Sequence, residues 1–272
     1  MPAGAGAAGS AARGAYLAAA AGCDQCHTDT KDGGRPYAGG RAFETPFGTL
    51  FTPNITPDQE TGIGRWRLQD FVRALRWGIA PDDSHYLPVF PFPFYNRLSE
   101  QDLLDIFAFL ETVPAVSKAN RGNAAQPFAA LRGAVAVAAT RFPGPWQPDR
   151  TRDAEWNRGA YLVATIGRCG DCHTARTRLG APDPDRALGG RAATGGRKAV
   201  PNITPDMKTG IGRWSTDDIV TLLTDGQTPD FDFIGGGMAE IVRNTARLDD
   251  ADRRAIAAYL RSIPAIRSGK KE

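Results

Sequence analysis

The sequence predicts an all-α protein made of two tandem helical domains, on three observations. The chain repeats itself once, each half closes on an amphipathic helix, and the stretches between helices are Gly/Pro/Asn-rich loops. Gly14-Ala15-Tyr16-Leu17 recurs as Gly159-Ala160-Tyr161-Leu162, and Pro53-Asn54-Ile55-Thr56-Pro57-Asp58 recurs as Pro201-Asn202-Ile203-Thr204-Pro205-Asp206. Thr61-Gly62-Ile63-Gly64-Arg65-Trp66 recurs as Thr209-Gly210-Ile211-Gly212-Arg213-Trp214, and Asp105–Val116 matches Ala255–Ile266. Two copies are too few for a solenoid, so the repeat reads as two like domains.

The elements follow in order. Gln69–Trp77 and Thr216–Thr224 read as one helix in each half. Ser99 caps a helix with an acidic first turn, after which Leu103, Ile106, Phe107 and Leu110 fall at helical spacing. Asp249–Ile263 repeats the pattern with Ile256, Tyr259, Leu260 and Ile263, and Pro264 ends it. Asp32–Gly64 and Ala181–Gly212 read as long ordered loops, a length uncommon in a compact domain unless something binds in them. The stretch Pro114–Arg150 carries Pro114, Pro127, Pro143, Pro145 and Pro148, which mark a boundary. The expected domains are therefore residues 1–117 and 151–272, with a Pro-rich linker over 118–150. Within it Phe128–Phe142 reads as a short helix strapping the domains together, or as ordered coil.

At 272 residues the chain is comfortable for two domains. A net charge of +3 without a basic run interleaved with aromatics excludes a nucleic-acid binder. Its longest apolar runs, Ala15–Ala21 and Ala134–Ala139, fall short of the ~20 residues that a membrane span needs, so no transmembrane segment is expected. Met1–Arg13, mostly Ala and Gly, lacks the charged and strongly apolar regions of a signal peptide.

All four cysteines fall in two Cys-x-x-Cys-His motifs, Cys23/Cys26/His27 and Cys169/Cys172/His173. This is the attachment motif of c-type haem: the two thiols add across the porphyrin vinyl groups and the histidine reaches the iron. Zinc would need two further ligands per site, and the chain holds only three histidines and no spare cysteine. A thiol redox pair is expected beside a βαβ pattern, which is absent here. Two covalently bound haem c groups are therefore expected, and their propionates leave the holoprotein near neutral.

With these motifs on the page, each half resembles a class I cytochrome c. The whole chain resembles the di-haem cytochromes that serve bacterial periplasmic dehydrogenases, through the repeats quoted above and Trp156-Asn157-Arg158-Gly159. The resemblance implies that each domain's first helix crosses its last near the glycine. It also implies that the carbonyls of Pro53 and Pro201 accept hydrogen bonds from His27 and His173, fixing each imidazole. A further implication is a periplasmic location, with an export signal trimmed from or not included in this sequence.

The sixth ligands differ between halves. Met238, in Gly235-Gly236-Gly237-Met238, lies where the family places its axial methionine, with glycines that let the backbone approach the haem edge. Met1 is terminal, and Met207 is expected to be exposed. The first half has Ser84-His85-Tyr86-Leu87-Pro88-Val89-Phe90 instead, with no methionine at Phe90 or Leu98. His85 is the leading candidate for the sixth ligand of the first haem, and a surface histidine is the alternative. Tyr86, Tyr95, Asn96, Lys31 or water complete the options. Bis-histidine ligation would set the first haem below the second in potential. Trp66 and Trp214 are expected against the haems, and Asn54, Asn202, Arg65 and Arg213 are candidates for holding propionates. Asp58-Gln59-Glu60 hints at calcium, but the repeat does not preserve it.

Two functions follow. The favoured one is an electron carrier, not an enzyme, which relays electrons from a dehydrogenase to a downstream cytochrome or oxidase through transient docking or peripheral association. The alternative is a di-haem enzyme acting on peroxide or a small sulfur compound, with the first haem as an open reaction centre.

Overall fold

The structure, a computed structural model, describes residues 8–138, 140, 142–193 and 198–268. The chain divides into two units, Met1–Ala134 with Phe142–Pro145, and Val135–Arg141 with Trp146–Glu272. The first contains α1 (Ala11–Ala21), α2 (Cys23–Cys26), α3 (Leu68–Trp77), α4 (Phe92–Tyr95) and α5 (Glu100–Leu110). Helix α6 (Ala129–Ala138) lies where the units divide. The second unit holds α7 (Ala154–Ala164), α8 (Cys169–His173), α9 (Thr216–Asp225), α10 (Gly237–Thr245) and α11 (Asp250–Ser262). Among the described residues no helix is long and apolar enough to cross a membrane.

Capping explains where the main helices begin. Ser10, Ser99, Asp153 and Ser215 each accept a first-turn backbone amide that has no partner inside its helix. Ser215 and Asp218 close a reciprocal capping box on α9. In each unit the first helix then packs on the last, α1 on α5 and α7 on α11. A methyl group on Gly14 would overlap the Asp105 carbonyl, and one on Gly159 would overlap the Ala255 carbonyl. Only glycine lets these backbones come so close, which is why Gly-Ala-Tyr-Leu occurs twice. Beside each crossing an ion pair locks the helices. Arg13 bonds Asp102 and Asp105 of α5, and Arg158 makes a two-pronged contact with Asp252 of α11 at 2.7 and 2.6 Å. The apolar faces read from the sequence are buried: Leu17, Leu103, Ile106 and Leu110 in the first unit, Leu162, Ile256 and Leu260 in the second.

Two expectations need correction. The chain is mostly helical but not all-α, because residues inside the presumed loop 32–64 form a hairpin. Strand β1 (Ala42–Thr45) pairs antiparallel with β2 (Gly48–Phe51) across Pro46-Phe47, and Gly48 takes the positive φ of 110° that the turn requires. Thr and Phe favour strands, but two strands alone are marginal in water. Here β3 (Ala124–Ala125) adds to the other edge of β2, and Asn123 Oδ1 accepts from the Phe51 amide at 2.8 Å. The second correction follows from this strand. Residues 118–134 are not a linker but part of the first unit, with Asn120 Oδ1 accepting from the Asn54 amide and Lys118 Nζ donating to the Gly39 carbonyl. Proline density there breaks helices without freeing the chain.

Gly159→Ala should cost about 2–3 kcal/mol, as overpacking of a close-packed crossing does. Denaturant unfolding of the holoprotein measures it, and Gly14→Ala should behave alike.

Candidate haem sites

Each Cys-x-x-Cys-His motif forms a single helical turn, α2 or α8, shortly after a helix that packs in the core. The residue before the turn must adopt a left-handed conformation. In the first unit it is Gly22 with φ 71°, and in the second it is Arg168 with φ 48°. A side-chain residue there costs on the order of 1–2 kcal/mol, strain of the kind that sites retain. Burial pushes the Cys169 thiol up to about 11 and also raises Cys172, so both stay protonated. A redox or metal-thiolate pair needs the opposite shift.

The two histidines have the same partner. Nδ1 of His27 lies 2.8 Å from the Pro53 carbonyl, and Nδ1 of His173 lies 2.8 Å from the Pro201 carbonyl. A carbonyl only accepts, so Nδ1 carries the proton and Nε2 keeps its lone pair for a metal. Burial lowers both histidines' pKa, opposed by the proline carbonyl, and Arg191 lowers His173 further. Both rings are thus held neutral, the form that ligates iron. The backbone secures them too, since Gly39 N and Gly190 N donate to the histidine carbonyls at 2.8 Å.

Asn54 and Asn202 were candidates for binding propionates, and the structure gives them other work. Asn54 Nδ2 donates to the Val116 carbonyl (2.8 Å) and Thr61 Oγ1 (3.0 Å), while its Oδ1 accepts from the Thr56 amide and hydroxyl. Asn202 repeats this with Ile266, Thr209 and Thr204. Both are buried, and their bonding capacity is filled in clamping the proline loop to the segment after the last helix. Arg65 pairs with Glu60 at the surface. Trp66 and Trp214 are half-buried beside these loops, with amides bonded to Ile63 and Ile211.

A residue the sequence reading passed over fits a haem carboxylate better. Arg191 has a buried Nε with no hydrogen-bond partner among the described residues, and its charge acts on both Cys172 and His173. A buried guanidinium nitrogen left unbonded suits an anion. The signal was present in the sequence: Gly-Gly-Arg occurs at 39–41 and again at 189–191.

On the other side the backbones match while the side chains do not. In the first unit Ala80 N bonds Ser84 O and Tyr86 N bonds Gly78 O, placing His85 opposite Ile79. In the second, Thr228 N bonds Asp232 O and Ile234 N bonds Gly226 O, placing Phe233 opposite Gln227. His85 therefore corresponds to Phe233, which is 71% exposed, and His85 is itself exposed. Counting on at equal spacing, Phe90 corresponds to Met238. Met238 follows Gly236, whose φ of 62° and ψ of −143° only glycine adopts readily, and a methyl on any of the three loop glycines would meet nothing. Of the other candidates, Met207 is 59% exposed and Lys31 is exposed. Asn96 is fully buried with its amide spent on Arg76 O and Gly144 N. Tyr86 has its pKa raised by burial and by Asp82.

In each unit a neutral imidazole on a fixed carbonyl beside paired thiols, with the unbonded Arg191 Nε added in the second, fits covalent haem and defines an electron-transfer c-type cytochrome. The family model for cytochrome c matches residues 157–264. A diheme cytochrome c-type protein of Cereibacter sphaeroides is 43% identical over 96% of this chain and 88% of its own length. The fructose dehydrogenase cytochrome subunit of Gluconobacter japonicus is 39% identical over 94% of this chain and 53% of its own. The cytochrome c subunit of a quinone alcohol dehydrogenase from Gluconobacter oxydans is 38% identical over 95% and 55%. The chain thus spans about half the length of these two subunits. It belongs to the di-haem cytochrome c family and carries two covalently bound haem c groups.

Asn202→Ala should destabilise the second unit by about 2–4 kcal/mol, since it leaves buried partners unsatisfied. Thermal unfolding followed in the haem absorbance of the holoprotein reads this, and Asn54→Ala should do the same for the first unit.

Proposed function

We propose that this chain is an exported, periplasmic electron relay of two tandem class I cytochrome c domains, between a dehydrogenase and a downstream cytochrome or oxidase. The observation that carries it is the twice-built histidine site, each imidazole held in one tautomer by a proline carbonyl at 2.8 Å. The relatives' roles point the same way, as subunits named for fructose and alcohol dehydrogenases.

In this reading Cys23 and Cys26 attach the first haem, Cys169 and Cys172 the second, and His27 and His173 supply the fifth ligands. The bound haems supply one-electron transfer at iron. The protein positions and tunes them. Pro53 and Pro201 keep each imidazole oriented and electron-rich, Arg191 offsets carboxylate charge, and Met238 gives the second haem a thioether. The first unit offers no thioether at that register, so its haem lies lower in potential, and electrons pass from the first haem to the second.

The test is rapid mixing of the oxidised holoprotein with a substrate-reduced sugar or alcohol dehydrogenase, then with a soluble oxidised cytochrome. Reduction and reoxidation of both haems is expected; turnover of peroxide without a protein donor would favour the enzyme reading instead. Met238→His should lower the second haem's potential by on the order of 0.1–0.3 V, a fraction of the ~0.8 V that axial ligands span. A spectroelectrochemical titration of the variant measures the shift, and an unchanged potential would remove Met238 from the ligand set.

A further inference from the structure

We infer that the first haem's sixth position is not closed by a side chain of this protein and takes a small neutral ligand such as carbon monoxide or nitric oxide. The inference rests on the reading that His27 ligates the first haem and Met238 the second. It starts from the matched hydrogen bonds around His85 and Phe233, which fix the register of the two loops. At the position of Met238 the first unit has Phe90, and a phenyl ring donates no lone pair.

Three of the neighbouring donors, His85, Lys118 and Asn96, are placed by other contacts. His85 sits at the place of Phe233, bracketed by the Ala80–Ser84 and Tyr86–Gly78 backbone bonds, a register five residues before the place of Met238. Lys118 Nζ is 2.9 Å from the Gly39 carbonyl, whose own amide bonds His27, which puts that amine with the fifth-ligand loop. Asn96 is buried and bonded through both amide atoms.

The loop is also stiff. The second unit leads into Met238 with three glycines, whereas the first leads into Phe90 with Leu87-Pro88-Val89 and follows it with Pro91. Leu87 and Pro88 lie so close to Gly133 that a methyl there would crowd both. The Phe90 ring is packed edge-on against Tyr86 (5.5 Å between centroids) and Tyr95 (5.9 Å), with Phe92 at 6.4 Å. Such an apolar lid admits a neutral diatomic and penalises an anion, which must shed its water to enter. The duplicated fold thus gives one haem closed by a thioether and one open to gases.

The test is carbon monoxide titration of the dithionite-reduced holoprotein, read by visible difference spectra against a pyridine haemochrome count. One carbon monoxide per chain is expected in the native protein and in His85→Ala. Phe90→Met should abolish uptake by supplying the missing sulfur, with Phe90→Leu as the control that keeps it. Met238→Ala should raise uptake to two per chain. No uptake by the native protein overturns the inference, and uptake gained in His85→Ala would identify His85 as the ligand. Two per chain in the native protein would overturn it as well, by removing Met238. Reduction by a dehydrogenase is scored on oxidised portions of the same preparations, so a failed relay and a closed haem give different results.

Discussion

A carbonyl oxygen has no hydrogen to give, so a 2.8 Å contact between it and a histidine nitrogen can exist in one tautomer only. Each unit is arranged around that constraint. The proline carbonyl must be aimed at Nδ1, and proline has no amide through which the sheet or a helix could hold it. The following asparagine does this instead, tying the loop to Thr61 and Val116 in one unit and to Thr209 and Ile266 in the other. Those carbonyls lie just beyond α5 and α11, which are themselves set by the glycine crossings with α1 and α7. Helix packing thereby fixes the orientation of an imidazole several contacts away.

Much of this was legible in the sequence because the chain states it twice. The helix capped at Ser99 and its counterpart beginning at Asp249, the Gly-Ala-Tyr-Leu crossings and the paired Cys-x-x-Cys-His motifs all stand in the repeat, and repeated features are rarely accidents. The hairpin 42–51 was hidden because the repeat does not spell it twice: among the described residues of the corresponding loop there is a single bridge, between Arg191 and Val200. The segment 118–134 looked like a tether because proline excludes helix, yet Asn120, Asn123 and Lys118 bond it side chain by side chain. Asn54 and Asn202 misled for another reason. An exposed loop asparagine and a fully bonded buried one look the same in sequence, and only tertiary contacts tell them apart.

The two halves have diverged unevenly. The backbone bonds beside the fifth ligand and around the opposite loop match residue for residue between the units, so the scaffold has been held while side chains changed. Gly22 became Arg168 or the reverse, at a cost in backbone strain, and the loop carrying Met238 is glycine-rich where its counterpart is rigid with proline. A duplication that keeps its frame and varies the residues on one side of it can give two cofactors different properties without a second fold.

The asparagine clamp also has a direction in time. Asn54 finds Val116 across 62 residues and Asn202 finds Ile266 across 64, so each contact is long-range. Such closures are slow relative to the formation of a single helical turn. Each Cys-x-x-Cys-His turn emerges from the ribosome well before the residues that orient its histidine. The thiols are therefore presented on a chain whose fifth-ligand loop is still loose, before the burial that raises the free Cys169 thiol is in place. The period in which the cysteines are most reactive is the period before the fold closes.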